Sequence, residues 1–284
     1  EQRREGVELT MRWSDTTPRK FTYEVGFNMT YFNSLWKVKA DEALSDLMNP
    51  YKRQTHQTDY YGLGYIDTGL YQNKEDILNS PRRLGSTQTK LGDIGYTDVN
   101  GDGKIDGEDQ VRIGKPTMPH FTYAFDFSLG YEGFTLSGLL YGTGERYMTF
   151  GNRYQSGEGK YLYYENQLNY WRPDNTGADF PRISISSGVN GNNNKAGSTF
   201  WMRNASYLRL KDLQLSYDFK YKYLKKCDWL QTCRVNLSGS NLFTISGVSK
   251  FFDPETSSTS GDGYPVQRVY SIGVTIGFNR EEYI

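Results

Sequence analysis

No stretch of this 284-residue chain approaches the roughly 18–20 consecutive apolar residues that a membrane-crossing helix requires, so a helical membrane protein is excluded. Cysteine is nearly absent: Cys227 and Cys233 are the only two. Two cannot build a disulfide-dense scaffold, and their spacing matches no zinc site. The two histidines, His56 and His120, lie far apart. No nucleophile–base pattern surrounds either, so enzyme chemistry is not expected. Neither sign of charge dominates: Lys plus Arg and Asp plus Glu each number 33. A net charge of zero argues against a nucleic-acid partner held by electrostatics.

Aromatic residues, by contrast, are plentiful: 15% of the chain, with 24 Tyr. Interfacial girdles of a transmembrane barrel account for such an excess. A mean hydropathy of -0.72 is compatible with a barrel, because its inner wall and its loops are polar. The arrangement of apolar residues points the same way. Near the end of the chain Tyr270, Ile272, Val274, Ile276 and Phe278 alternate with Ser271, Gly273, Thr275 and Gly277. Side chains alternate across a strand, so this pattern defines one greasy face and one small, polar face. The same alternation runs through Val7, Leu9, Met11 and Trp13, and through Phe21, Tyr23, Val25, Phe27, Met29 and Tyr31. It recurs in Phe121, Tyr123, Phe125, Phe127 and Leu129, in Phe134, Leu136 and Leu140, and in Cys233, Val235 and Leu237. In the segment with Leu208, Leu210, Leu213, Leu215, Tyr217 and Phe219 the phase slips by one at Lys211 and Asp212, which predicts a β-bulge.

About seven strands are therefore predicted, several near the 9–11 residues that a tilted strand needs to cross a bilayer. The connectors alternate: 14–20, 130–133 and 220–231 are short, while 34–119, 145–202 and 246–267 are long. Transmembrane barrels sort turns and loops to opposite ends in this way. Within the first long connector, Ala43, Leu44, Leu47 and Met48 have helical spacing and end at Asn49-Pro50. Residues 187–198, rich in Gly and Asn, read as a mobile tip. Seven strands cannot close a barrel with a lumen, and an open edge in lipid leaves backbone groups unpaired at several kcal/mol each. A barrel protein also needs a signal to leave the cytoplasm, and none precedes Glu1. The chain is thus expected to be a piece of a larger barrel, an all-β antiparallel transmembrane segment with long extracellular loops.

Several residues carry candidate chemistry. Asp98, Asn100, Asp102, Lys104, Asp106 and Asp109, with Gly103 between, follow the spacing of an EF-hand-type calcium loop. Asp109 stands where a bidentate Glu is usual, and the alternative is a rigid Asx/Gly turn. A bound Ca2+ would staple the loop. Cys227 and Cys233 flank a turn expected on the oxidising periplasmic side, where a disulfide between them is the preferred reading and two free thiols the alternative. Arg12, Glu24, Asp126, Arg209 and Arg234 fall on the polar face, where they line a substrate path, dock other parts of the protein, or form a solvated wall. Tyr161, Tyr163, Tyr164, Tyr170 and Trp171 could stack on sugar rings or pack the loops together. The competing overall reading is a secreted β-rich adhesion module that uses the calcium loop, with its apolar faces meeting in a soluble core.

Four segments in order resemble a known family. The run Gly92-Asp93-Ile94-Gly95-Tyr96-Thr97-Asp98-Val99-Asn100-Gly101-Asp102-Gly103-Lys104-Ile105-Asp106 is one. The others are Arg203-Asn204-Ala205-Ser206-Tyr207-Leu208-Arg209-Leu210-Lys211-Asp212-Leu213, then Asn241-Leu242-Phe243-Thr244 followed by Phe252-Asp253-Pro254-Glu255, and earlier Gly69-Leu70-Tyr71-Gln72. Together they resemble the C-terminal part of SusC/RagA-like TonB-dependent outer-membrane transporters. The resemblance implies that residues 1–284 form the last part of a roughly 22-stranded barrel, with the plug and earlier strands outside this chain. It implies import of oligosaccharides or peptides across the outer membrane of a Gram-negative bacterium, powered by TonB. A SusD-like surface lipoprotein is implied as partner.

Overall fold

Period-two alternation becomes seven long strands: β1 (Gln2–Thr16), β2 (Thr22–Trp36), β3 (Phe121–Tyr131), β4 (Phe134–Gly144), β5 (Tyr207–Asp218), β6 (Leu230–Ser246) and β7 (Val269–Phe278). The structure, a computed structural model, describes residues 1–58, 62–83, 89–114, 118–155, 164–183, 193–256, 259, 263–264 and 266–278. The strands pair in sequence order as an antiparallel meander, β1-β2-β3-β4-β5-β6-β7. Several strands extend beyond their sequence-predicted ends. β6 reaches 17 residues because ladder pairing continues past the apolar alternation. The meander puts every short turn at one end of the sheet and every long connector at the other, as the sequence predicts.

The register fixes the faces. Met11, Phe27, Phe125, Leu140, Leu210 and Phe243 stand side by side across six strands. Leu136, Leu215, Leu237 and Ile272 form a second row reaching β7. On the opposite face Glu24, Ser128, Ser137, Gln214, Ser238 and Ser271 line up in the same way. The apolar face is uncovered: Phe125 is 39% exposed and Ile276 is 52% exposed. The bulge falls where the phase slip predicts it. Lys211 pairs with neither neighbouring strand, and the register jumps from Leu210 to Asp212.

Tight pairing needs glycine at defined places. The β3–β4 hairpin turns through Glu132 and Gly133, with φ of 47 and 86. Two successive positive φ values match the twist of the strands they join. Within β4, Gly142 lies opposite Tyr123, whose ring folds over it. A Cβ at Gly142 would sit 2.4 Å from Tyr123 Cζ and 2.6 Å from the Tyr207 carbonyl oxygen. The ring can move but the backbone cannot. Gly142→Ala is therefore expected to destabilise the β3–β4–β5 contact by about 1–3 kcal/mol, read as a lowered urea midpoint of the full-length protein in detergent.

The hydrophobic core lies in the long connectors rather than in the sheet. Apart from Tyr207 and Leu230 at strand ends, every buried hydrophobic among the described residues belongs to the connectors 37–120, 145–206 and 247–268. Tyr65, Ile94, Tyr96, Ile105, Phe150, Tyr154, Phe180 and Trp201 form its centre, and Phe251 and Phe252 pack against it. A polar bridge joins the first two connectors. Buried Asp93 receives Arg182 Nε at 2.8 Å and Asn194 Nδ2 at 2.9 Å.

Candidate functional site: the polar face below the packed loops

On the polar face, two clusters join strand to strand and strand to loop. In the first, Arg12 of β1 reaches Glu24 of β2 at 3.2 Å and Asp126 of β3 at 3.7 Å. Gly26, paired with both Arg12 and Asp126, leaves space for the Asp126 carboxylate over its backbone. These groups are well solvated, so their attraction contributes only about 0–1 kcal/mol and their main effect is to set the charge pattern of the wall.

The second cluster is built around a buried cation. Arg209, only 1% exposed, donates from Nε to Thr244 Oγ1 at 2.8 Å and from its two terminal nitrogens to Asp253 and Glu255. Glu255 also accepts from Tyr207 Oη at 2.7 Å and from Lys211 Nζ at 3.0 Å. Lys211 gets there because the bulge adds it to the face that already holds Arg209, which is how bulges re-aim side chains. Pro254, between the two acids, gives its carbonyl to Arg146. The third long connector is thus fastened to β5 by its Asp253-Pro254-Glu255 turn. Burial works against the Glu255 charge, but Tyr207, Lys211 and Arg209 together hold its carboxyl below the ordinary value of 4.5. A depressed folded pKa gives stabilisation that is present above about 4.5 and is lost as pH falls through the folded value. Protection of residues 247–256 from hydrogen exchange, measured relative to the intrinsic rate at each pH, is expected to be high at neutral pH and to fall as pH drops below that range.

Above this cluster lies a cavity of about 680 Å³ between the tops of β4 and β5 and the connectors. Its lining includes Tyr141, Thr143, Met148, Thr149, Tyr207 and Glu255. A second cavity of about 330 Å³ sits on the other side of Arg209, against Asn241, Thr244 and Arg268.

The sequence-derived candidates distribute as follows. Arg12, Glu24, Asp126, Arg209 and Arg234 all stand on the polar face, with Arg234 3.8 Å from Asp218. Trp171 is buried, donates Nε1 to Gln72 Oε1 at 2.8 Å and covers Gly92, so it packs loops together. Tyr164 and Tyr170 pack on the same core, while Tyr161 and Tyr163 lie outside the described residues. In the expected mobile tip, residues 187–192 lie outside the described residues, but Asn193, Asn194 and Ser198 are buried. Asn194 Oδ1 accepts from the Ile94 amide, and Asn193 Nδ2 donates to the Ile94 carbonyl; that pairing is why these polar residues enter the core. Residues 279–284 also lie outside the described residues.

The expected disulfide is not formed: Cys227 and Cys233 are both free thiols. Cys233 belongs to the β6 ladder, opposite Ile276, whereas Cys227 is held in the turn by its own backbone bonds to Leu224 and Leu230. In the 98–109 loop the side-chain oxygens serve the loop's own backbone. Asp98 accepts from Gly101 and Gly103, Asn100 from Asp102, Asp102 from Lys104, and Asp106 from Glu108. Buried Asp109 accepts from the amides of Val99, Asn100 and Asp106. Among the described residues, no group of three or more His, Cys, Asp or Glu side chains is placed to hold a metal ion. The geometry is that of a self-capped Asx turn.

An exposed apolar face backed by a polar face, with all loops at one end, defines a section of transmembrane β-barrel wall. No protein-family model matches the chain. It is similar to TonB-dependent receptor P3 of Formosa agariphila, 26% identical over an alignment covering 96% of this chain and 28% of that protein. TonB-dependent receptor P26 of the same organism is also 26% identical, over 74% of this chain and 22% of its own. In fold, the chain matches the RagAB peptide transporter with a TM-score of 0.69 at 20% identity, covering 97% of this chain and 29% of that one. The RagAB peptide importer in its "closed-closed" state matches with a TM-score of 0.68 at 21% identity. The chain therefore spans between 22% and 29% of these proteins' lengths, and its similarity to SusC/RagA-like TonB-dependent transporters covers 74% to 97% of its own. These relatives are receptors and importers rather than enzymes.

Proposed function

We propose that this chain supplies part of the wall and the extracellular mouth of an active importer in the outer membrane of a Gram-negative bacterium. The cargo class is peptides or oligosaccharides. The observation that carries this reading is the continuous apolar face left uncovered across the seven strands, while the hydrophobic clusters among the described residues sit in the long connectors. A secreted adhesion module would bury that face. Among the described residues nothing pairs with the outer edges of β1 and β7. In hydrocarbon each unpaired backbone group costs several kcal/mol, so the remainder of a longer protein provides the closing strands. A plug, energy from TonB and a SusD-like surface lipoprotein complete the assembly. The similarity to TonB-dependent receptors supports this.

The test is uptake of labelled short peptides and oligosaccharides by cells carrying the full-length protein, with and without TonB. TonB-dependent accumulation and recovery in the outer-membrane fraction are expected. Uptake indifferent to TonB, or a protein recovered in soluble form, would sink the proposal. Calcium in the 98–109 loop is a separate proposal, supported by donor spacing. A rise in thermal midpoint with millimolar Ca2+, reversed by chelator and absent in Asp98→Asn, is its expected result; an unchanged midpoint leaves the self-capped turn.

A further inference from the structure

The short-turn end of the sheet carries charge of one sign. The whole chain is balanced, but its three short turns, residues 17–21, 132–133 and 219–229, hold six cations, Arg19, Lys20, Lys220, Lys222, Lys225 and Lys226, against two acids, Glu132 and Asp228. Lys220 serves the fold: its Nζ donates to the Cys227 carbonyl at 2.5 Å and braces the third turn. Lys222, Lys225 and Lys226 are exposed, as are Arg19 and Lys20. Like charges so gathered repel one another, and an anionic surface relieves that repulsion.

The aromatics of the third turn fix which way its cations face. Tyr217, at the end of β5, lies on the apolar face beside Phe134 of β4, with ring centroids 4.4 Å apart. The Tyr223 ring packs 6.2 Å from those of both Tyr217 and Phe219. Tyr221 lies over the β3–β4 turn, where a Cβ at Gly133 would come 3.0 Å from the Tyr221 Cβ. The 219–229 turn is therefore folded onto the rim of the apolar face and not onto the polar one. At its end Trp229 stacks on Phe278 of β7 at 5.8 Å. Tyr221, Tyr223 and Trp229 are nonetheless exposed. Tyr and Trp, with an apolar body and a polar tip, collect at the boundary between hydrocarbon and water. Lys222 Nζ lies 5.9 Å from the Tyr223 centroid, so its charge stands at the level of that ring. Lipid phosphates occupy the same level, and lysine stems run along apolar surface to place an ammonium there.

Resting on the importer reading above, which puts this end of the sheet in the periplasmic leaflet, we propose that the 219–229 turn is a binding surface for anionic phospholipid headgroups. Lys222, Lys225 and Lys226 pair with the lipid phosphates, and Tyr221, Tyr223 and Trp229 seat the turn among the headgroups. Arg19 and Lys20 extend the positive charge along the same rim. A zwitterionic headgroup carries its own cation and gains less from the same lysines. A soluble acidic protein would have to reach cations folded down on the lipid side of the wall, so bilayer lipid is the occupant that the geometry favours.

The experiment uses the full-length protein in phosphatidylcholine vesicles, with spin-labelled phosphatidylglycerol or spin-labelled phosphatidylcholine as the probe. It reads the fraction of each probe immobilised at the protein. The expected result is preferential immobilisation of phosphatidylglycerol, weakened by raised salt. The triple change Lys222→Gln, Lys225→Gln and Lys226→Gln is expected to abolish that preference at an unchanged thermal midpoint. The triple change Lys222→Arg, Lys225→Arg and Lys226→Arg is expected to keep it. Equal immobilisation of the two probes by the parent, or a preference that the Gln variant retains, overturns the proposal. Loss of the preference in the Arg variant as well marks a structural role for the turn and likewise overturns it. A preference abolished by inorganic phosphate, and not by sodium chloride at the same ionic strength, assigns the surface to a soluble anion and overturns the lipid as occupant. None of these outcomes touches the importer reading, which the TonB-dependent uptake measurement decides by itself.

Discussion

Phe125→Arg is expected to cost about 2–4 kcal/mol in the full-length protein folded into lipid, while Ser128→Arg, three residues along the same strand, costs far less. Phe125 stands mid-strand on the apolar face, in a row with Phe27 and Leu140. An arginine there must keep its charge within hydrocarbon or distort the bilayer to reach water. Ser128 faces the other way, opposite Glu24. An arginine there enters a solvated wall next to a carboxylate. The readout is reversible urea unfolding from liposomes. The contrast between the two sites is informative in itself. If water bathed both faces, Phe125, already 39% exposed, would accept arginine as readily as any surface position. Equal effects at the two positions would refute the assignment of faces.

Arg209→Ala is expected to be the most damaging change on the polar face, at about 2–3 kcal/mol, because it leaves the half-buried Asp253 and Glu255 without their shared cation. Lys211 can compensate only one oxygen of Glu255. The loss falls on the third connector rather than on the wall, since β5 and β6 keep their backbone ladder. Limited proteolysis of the full-length protein is expected to cut within residues 247–268 in the variant and not in the parent. Restoring a compact neutral cluster with the triple change Arg209→Met, Asp253→Asn and Glu255→Gln is expected to recover much of the protection. That recovery separates loss of charge balance from general unfolding.

The wall was legible in the sequence because the rule that makes it is local. Residues two apart share a face, and Phe121, Tyr123, Phe125 and Phe127 announce one without any knowledge of the partner strand. Even the bulge was legible, since Lys211 breaks the phase of the leucines around it. The polar-face clusters were only half legible. Arg209 could be put on the inner face by parity, but its acidic partners lie more than forty positions away on a connector with no periodicity. The Asp253-Pro254-Glu255 turn stood out as a family segment without revealing what it grips. Contact between distant polar residues depends on how loops fold back, and alternation has nothing to say about that. The same gap explains the errors. Asn193 and Asn194 looked like tip residues by composition, yet their amides serve the backbone of Ile94, a hundred positions earlier. Cys227 and Cys233 looked close in sequence, but the ladder of β6 claims one of them and not the other.

The location of the core in the connectors has a consequence for how such a molecule diversifies. The cap coheres by excluding water from Phe150, Tyr154, Phe180 and Trp201, whereas the wall coheres by backbone pairing in a medium that offers no water to exclude. Two halves governed by different solvents have little need to change together. Surface segments can be rewritten to suit new cargo, while the strands beneath continue to obey the bilayer alone.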